Sequence, residues 1–146
     1  MTQFARRASL VAMSVVTAVL PSVSSSAEQP KPVIIEEGVR EGVKFSVTLS
    51  EQVPPGSSVV SNIAQYGGVA TAVQYYYAGI SQGTIHLFRI VREVAPLRET
   101  ERLPILLPLD SNGTASLLIR PQEGRTFVVR LKRSADGATL NASVVK

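Results

Sequence analysis

The chain contains no cysteine and no tryptophan, and its 146 residues include a single histidine, His86. Without cysteine the protein can form no disulfide, has no thiol nucleophile and offers no sulfur ligand to a metal. One histidine is too few for a transition-metal site of ordinary ligand number. We therefore predict that the protein holds no metal and no cofactor, and that burial and hydrogen bonding alone stabilise it.

Charge of either sign is also sparse. Charged residues make up 18% of the chain, and the formal net charge is +4. Two of the positive charges, Arg6 and Arg7, lie close to the N-terminus, which leaves a smaller surplus in the rest of the chain. This surplus is too small to indicate nucleic-acid binding, so we expect no nucleic acid among the partners.

Residues 1–27 have the pattern of a secretory signal peptide. Arg6 and Arg7 form a positive start, and residues 8–20 form an uncharged apolar run. This run is shorter than the roughly 20 residues that a membrane-spanning helix needs. The arginine pair also fits a twin-arginine export signal, although no cofactor-binding pattern follows that would require folding before export.

Small residues precede the expected cleavage point, which we place between Ala27 and Glu28. We predict an exported protein, periplasmic or extracellular, with no transmembrane segment in the mature chain. Residues 28–32, with two prolines, are expected to form a short extended leader. Residues 33–146 are expected to form one domain, because their number suits a single modest core.

Most of this domain shows the period of two that a strand with one wet face produces. Candidate strands with this alternation cover residues 43–50, 103–109, 114–120, 125–133 and 138–145. Turn sequences rich in Asp, Asn, Gly and Pro separate the last four. Strands at this spacing predict an antiparallel C-terminal meander. We expect an all-β fold, either a small antiparallel β-sandwich or a small barrel.

The middle of the chain is harder to assign. Residues 57–66 fit a short helix or an irregular strand, whereas residues 69–78 and 84–94 fit two strands joined by a glycine-flanked hairpin loop. Residues 95–102 contain a proline and mixed charges, which favours a surface loop. Two prolines in residues 103–109 predict that this strand lies at the edge of a sheet.

The β-branched residues 33–35 also leave two alternatives open. They can form the domain's own first strand, turning through Gly38 and Gly42 into the strand at Val43. Alternatively, this segment pairs with an open sheet edge of another molecule.

The sequence Gly79-Ile-Ser-Gln-Gly83 has the G-x-S-x-G spacing of a hydrolase nucleophile elbow. An elbow requires a helix after the serine, but β-branched and aromatic residues follow here. His86 also precedes both aspartates of the chain, whereas the elbow's histidine follows its acid. We therefore interpret Ser81 as part of a hairpin turn and predict that the protein is not an enzyme.

Two pairs of side chains are candidates for a binding surface. By parity Tyr76 lies beside Gln74 on the wet face of its strand, while the flanking tyrosines face the core. Tyr76 is either a binding aromatic or a cross-strand tyrosine that covers a sheet. Arg130 and Lys132 belong to a basic stretch that is either a solvated strand face or a patch for an acidic partner or an anionic envelope surface.

These features favour a non-enzymatic β-domain that acts through protein–protein contacts. We expect a subunit or accessory factor of a cell-envelope or extracellular assembly, with other envelope or secreted proteins, or a second copy of this chain, as partners. The alternative is a small-ligand or glycan-binding β-domain that uses Tyr76 and the neighbouring loops.

Overall fold

The computed structural model describes residues 31–66, 68–94, 96–120 and 125–145. The predicted signal peptide, its cleavage point between Ala27 and Glu28, and most of the predicted leader lie outside the described residues. The described residues are all-β and contain no helix. In particular, no helix among them is long and apolar enough to cross a membrane.

Ten strands are present in the described part of the chain. They are β1 (Val33–Arg40), β2 (Val43–Leu49), β3 (Gln52–Val53), β4 (Ser58–Tyr66), β5 (Val69–Ser81), β6 (Thr84–Val94), β7 (Leu97–Pro108), β8 (Thr114–Ile119), β9 (Phe127–Arg133) and β10 (Leu140–Val145). One antiparallel sheet of six strands, the large sheet, has the order β1-β2-β4-β5-β6-β7. The small sheet has the order β3-β10-β9-β8.

Alternation of apolar and polar residues gives each sheet an inner and an outer face. In β2 Phe45, Val47 and Leu49 are buried, and in β9 Val129 and Leu131 are buried, as the alternation predicted. Buried residues of both sheets belong to one hydrophobic cluster, which defines the inner faces. The predicted C-terminal meander is confirmed for three of its four strands, because β8, β9 and β10 pair in succession. The first of the four, β7, instead pairs with β6 in the large sheet.

The segment before β2 is a strand of the large sheet. β1 pairs with β2 along its length, and the chain turns through Glu41 and Gly42, both at positive φ (53° and 81°). Gly38 lies within β1 rather than in the turn, and a Cβ atom there would lie 3.5 Å from the Phe45 ring. β1 and β7 are the two edges of the large sheet, so the edge position predicted for residues 103–109 is confirmed.

Two assignments in the middle of the chain need correction. Residues 58–66 form the strand β4, which has a bulge near Ser58, so the helix alternative is wrong. The surface loop predicted for residues 95–102 is wrong from Leu97 onward, because β7 begins there and pairs with β6. The mixed charges there form ion pairs instead: Arg98 with Glu93 at 2.8 Å and Arg89 with Glu101 at 3.1 Å join the two strands.

Tyr77 of β5 connects the two sheets. Its side chain is fully buried, and its hydroxyl donates a hydrogen bond to the carbonyl of Ala138, in the turn between β9 and β10. Its backbone N–H donates to the Ser57 carbonyl at 2.9 Å, and its carbonyl accepts from the Gly56 N–H at 2.7 Å. Burial, with the nearby carboxylate of Asp136, raises the pKa of the Tyr77 hydroxyl.

The turn that receives Tyr77 is organised by Asp136. Its carboxylate accepts hydrogen bonds from the N–H groups of Thr139 and Ala138, each at 2.8 Å, and from the hydroxyls of Thr139 and Ser134. The bonds from Thr139 and Ala138, followed by those from the hydroxyls, lower the pKa of Asp136 well below its usual range. The turn is therefore held by a carboxylate that is ionised at neutral pH.

Replacing Tyr77 by phenylalanine should lower the free energy of unfolding by about 1 kcal/mol, because the inter-sheet hydrogen bond is lost without loss of the ring. Urea unfolding of the purified protein measures this change. Tyr75→Phe is the matched control, since it removes a hydroxyl from a neighbouring core tyrosine and leaves the inter-sheet contact in place. Equal losses in the two variants would show that the contact to Ala138 contributes nothing specific.

Replacing Asp136 by alanine should lower Tm at pH 7, and the difference from the wild type should shrink at acidic pH. The folded pKa lies below the unfolded one, so the carboxylate's contribution is complete above about pH 4 and is lost as pH falls toward the folded value. Thermal unfolding at a series of pH values measures this, with Glu51→Gln as an exposed carboxylate control. A difference in Tm that does not change with pH would contradict the assignment.

Candidate functional site

The predicted hairpin at Ser81 is confirmed, but its loop is shorter than expected. Ser81 is the exposed last residue of β5, and β6 begins at Thr84. Gln82 and Gly83 alone form the turn, and both have positive φ (54° and 73°), the combination that a tight two-residue hairpin requires. A strand therefore follows Ser81 where a nucleophile elbow requires a helix.

The first glycine of the motif also has a backbone explanation. Gly79 has a φ of 121° and lies opposite His86, at a register shift that follows Tyr77. A bulge with such a φ favours glycine. Both glycines of G-x-S-x-G are thus explained by the hairpin, and the absence of enzymatic activity stays a prediction.

Gly83→Ala should lower the free energy of unfolding by about 1 kcal/mol, because a Cβ atom is disfavoured at its φ. No atom lies within 4 Å of the position that the Cβ would take, so the cost comes from the backbone alone. Gly83→Asn should cost less, because asparagine tolerates this conformation. Ser81→Ala should change the stability by less than about 0.5 kcal/mol. Urea unfolding tests the series, and a larger loss in Ser81→Ala would argue against a simple turn.

Gln74 and Tyr76 lie together on the outer face of the large sheet, as their parity predicted. The Tyr76 hydroxyl donates to Gln74 Oε1 at 3.0 Å, and Arg92 Nη1 donates to the same oxygen at 2.7 Å. The Arg92 guanidinium lies 5.4 Å from the centre of the Tyr76 ring. Tyr75 and Tyr77 are buried, so their prediction as core residues is confirmed. Because Arg92 engages both polar groups, the interpretation of Tyr76 as a cross-strand tyrosine fits better than a binding aromatic.

Arg130 and Lys132 lie on the other sheet, on the outer face of β9. The structure therefore does not bring them together with Gln74 and Tyr76, and the predicted binding surface consists of two separate places. β9 lies between β8 and β10, so each cation has a neighbour on both sides. Arg130 is paired with Ser116 and Ser143, while Lys132 is paired with Thr114 and Asn141.

The outer face of the small sheet, here named the cationic face, carries no acidic residue among its described strand positions. Its outward side chains are Gln52, Thr114, Ser116, Leu118, Val128, Arg130, Lys132, Asn141, Ser143 and Val145. In the adjoining turns, Asp110 accepts hydrogen bonds from the N–H groups of Asn112 and Thr114, and Asp136 is similarly engaged. The two cations of this face thus have only neutral cross-strand partners.

The inner face of the large sheet contains a residue that sequence reasoning missed. Asn62 of β4 is only 5% exposed, and within the described part of the chain it is the buried polar residue of the core. Its Oδ1 atom is buried and has no hydrogen-bond partner. The sequence could have indicated this position, because Asn62 alternates with the apolar residues Val60 and Ala64. Residues 57–66 fitted either a helix or a strand, however, and only a strand places these three side chains on one face.

Comparison with known proteins gives no relative from which a role could be transferred. No protein-family model, no curated protein and no solved structure matches this chain. A function has to be inferred from the residues of this chain and from the geometry of its two sheets.

Proposed function

We propose that the protein is an exported, non-enzymatic β-sandwich domain that acts through contacts with other envelope or secreted proteins, as a subunit or accessory factor of their assembly. The observation that supports the proposal best is the cationic face. Its two positive charges lie on a central strand between neutral side chains and share the face with no described acid. Such a face is complementary to an acidic protein surface.

Electrostatics explains why this arrangement favours binding. A cation beside a carboxylate of its own sheet is partly neutralised before a partner arrives, as Arg98 is by Glu93 at 2.8 Å. Arg130 and Lys132 face hydroxyl and amide neighbours, which leave their charge available. Complementary charge accelerates encounter and fixes orientation, and screening by salt weakens both effects.

The size of the cationic face indicates the kind of contact. A standard stable interface engages about 20–30 residues on each partner, more than the outward side chains of this small sheet. We therefore propose a transient contact rather than a permanent apolar interface. Charge attraction guides this contact, and added salt weakens it. Leu118, which is 50% exposed and pairs with Val128 on the same face, supplies an apolar contact there.

The β7 edge of the large sheet is less suited to binding a partner strand. Pro104 and Pro108 lack the N–H group that an added strand would need, and both lie on this edge. Charged side chains along the same strand, including Glu99 and Arg102 paired at 2.9 Å, further oppose edge-to-edge pairing. These features favour the cationic face over this edge as the contact surface.

Reversing both charges, in the double variant Arg130→Glu with Lys132→Glu, should abolish partner binding while the domain stays folded. A photo-reactive amino acid in place of the exposed Ser116 reports the contact in the cells that export the protein. We expect crosslinked products to fall about tenfold in the double variant, because acidic charge would then face the partner's acidic surface. Increasing salt should reduce crosslinking of the wild type.

The matched control is Arg40→Glu with Lys44→Glu, which makes the same change in net charge at the β1–β2 hairpin of the other sheet. It should leave crosslinking from position 116 unchanged. Equal losses in both double variants would mean that overall charge, and no particular face, governs binding. Unchanged crosslinking after the reversal of Arg130 and Lys132 would contradict the proposal, provided that circular dichroism shows a folded domain.

A further inference from the structure

A cavity of about 340 Å³ lies between the inner face of the large sheet and the end of β8. Its lining comes from five strands and from the residue that follows β8: Asn62, Thr71, Val73, Tyr75, Arg89, Val91, Glu101, Ile119 and Arg120. This volume is at the small end of the range of about 300–1,000 Å³ for ligand pockets. A ligand the size of one sugar ring suits such a volume better than a larger molecule.

The floor of the cavity is one cross-strand row of the large sheet. Asn62 of β4 is paired with Val73 of β5, Val73 with Val91 of β6, and Val91 with Glu101 of β7. The row therefore runs from a buried amide, across two apolar side chains, to an exposed carboxylate. A molecule bound along it would meet polar groups at both ends and an apolar surface between them.

Asn62 is the reason to expect a ligand. Its side-chain oxygen is buried and lacks a partner, although buried polar groups in folded proteins are almost always hydrogen-bonded. A hydroxyl group both donates and accepts, so it satisfies this amide in either of its two orientations. An ionised carboxylate accepts only, so in the orientation that buries Oδ1 it would leave that acceptor unsatisfied.

The remaining lining also suits a hydroxylated ligand. Arg89 and Glu101 are paired at 3.1 Å, and their side chains are 31% and 52% exposed, so both are accessible to an entering molecule. A guanidinium offers several donors and a carboxylate several acceptors, a combination that serves neighbouring hydroxyl groups. Val73 and Ile119 provide apolar surface for the C–H groups of a ring.

We propose that this cavity binds a single uncharged sugar ring or a polyol of similar size, with Asn62 as the buried anchor and Arg120 as a contact at the rim. The site lies on the inner face of the large sheet, whereas the proposed protein contact lies on the outer face of the small sheet. The two proposals are independent, because neither surface shares a residue with the other.

The test is an NMR titration of the purified protein with D-glucose, D-galactose, N-acetyl-D-glucosamine and glycerol, each at millimolar concentration. At least one probe should shift the backbone amide signals of Val73, Val91 and Ile119 in a saturable manner. Asn62→Leu should abolish these shifts and raise Tm by about 5 °C, because it replaces an unsatisfied amide by an apolar side chain. Asn112→Leu, in the exposed turn between β7 and β8, should leave sugar binding unchanged.

Because a core substitution can disturb folding, an exposed rim variant provides a second measurement. Arg120→Ala should fold as the wild type does and weaken binding about tenfold, since a hydrogen bond from a charged group is lost. The proposal is overturned if no probe shifts the cavity signals, which would mean that the cavity holds water only. It is also overturned if acetate or phosphate shifts them and the sugars do not, or if Asn62→Leu still binds.

Discussion

The burial of Tyr77 in the shared core, together with its hydrogen bond to Ala138, is the interaction that joins the large sheet to a turn of the small one. Tyr77 belongs to the large sheet, whereas Ala138 lies in a turn of the small sheet. The backbone of Tyr77 also bonds to Gly56 and Ser57, which connect β3 of the small sheet to β4 of the large one. Tyr77 thus contacts both the segment in which the chain crosses from one sheet to the other and the turn between β9 and β10. The carboxylate of Asp136 organises that turn, so a surface charge and a core aromatic stabilise the same junction.

Once the sheets are placed against each other, alternation along each strand decides what every side chain can do. Buried inner-face residues of both sheets form a single core, so a polar group buried there, such as Asn62, needs a hydrogen-bond partner within the core or the cavity. On the outer face of the small sheet, Arg130 and Lys132 are exposed to water, where their charges are available to other molecules. The alternation of inward and outward side chains therefore explains both features. It places Arg130 and Lys132 on the outer face of the small sheet, and it places Asn62 on the inner face of the large sheet. Because the two places share no residue, the proposed protein contact and the proposed ligand would not compete for the same surface.

Periodicity predicted those parts of the fold in which one face is clearly apolar. The strand at Phe45 and the strands β8 to β10 are examples. In each of them a register shift by one residue would turn all the buried apolar side chains toward water. The start of β7 could not be predicted in this way, because its residues are mostly charged and show no alternation of apolar side chains. Arg98 and Glu101 instead form ion pairs with residues of β6. The candidate site was predicted only in part for a similar reason. Parity placed Tyr76 and Arg130 each on the outer face of its strand, but no local pattern states which strands share a sheet.

Ser81 and Asn62 show why the more familiar sequence signal was the less informative one. Ser81 has the spacing of a catalytic serine, yet it is exposed at a hairpin end, where water satisfies its hydroxyl at no cost. Asn62 belongs to no motif, but its buried oxygen has no hydrogen-bond partner among the described protein groups. An apolar side chain of the same size would stabilise the core more, so Asn62 opposes folding unless something hydrogen-bonds to it. In the described core it is therefore this asparagine, and not the serine motif, that requires a functional explanation.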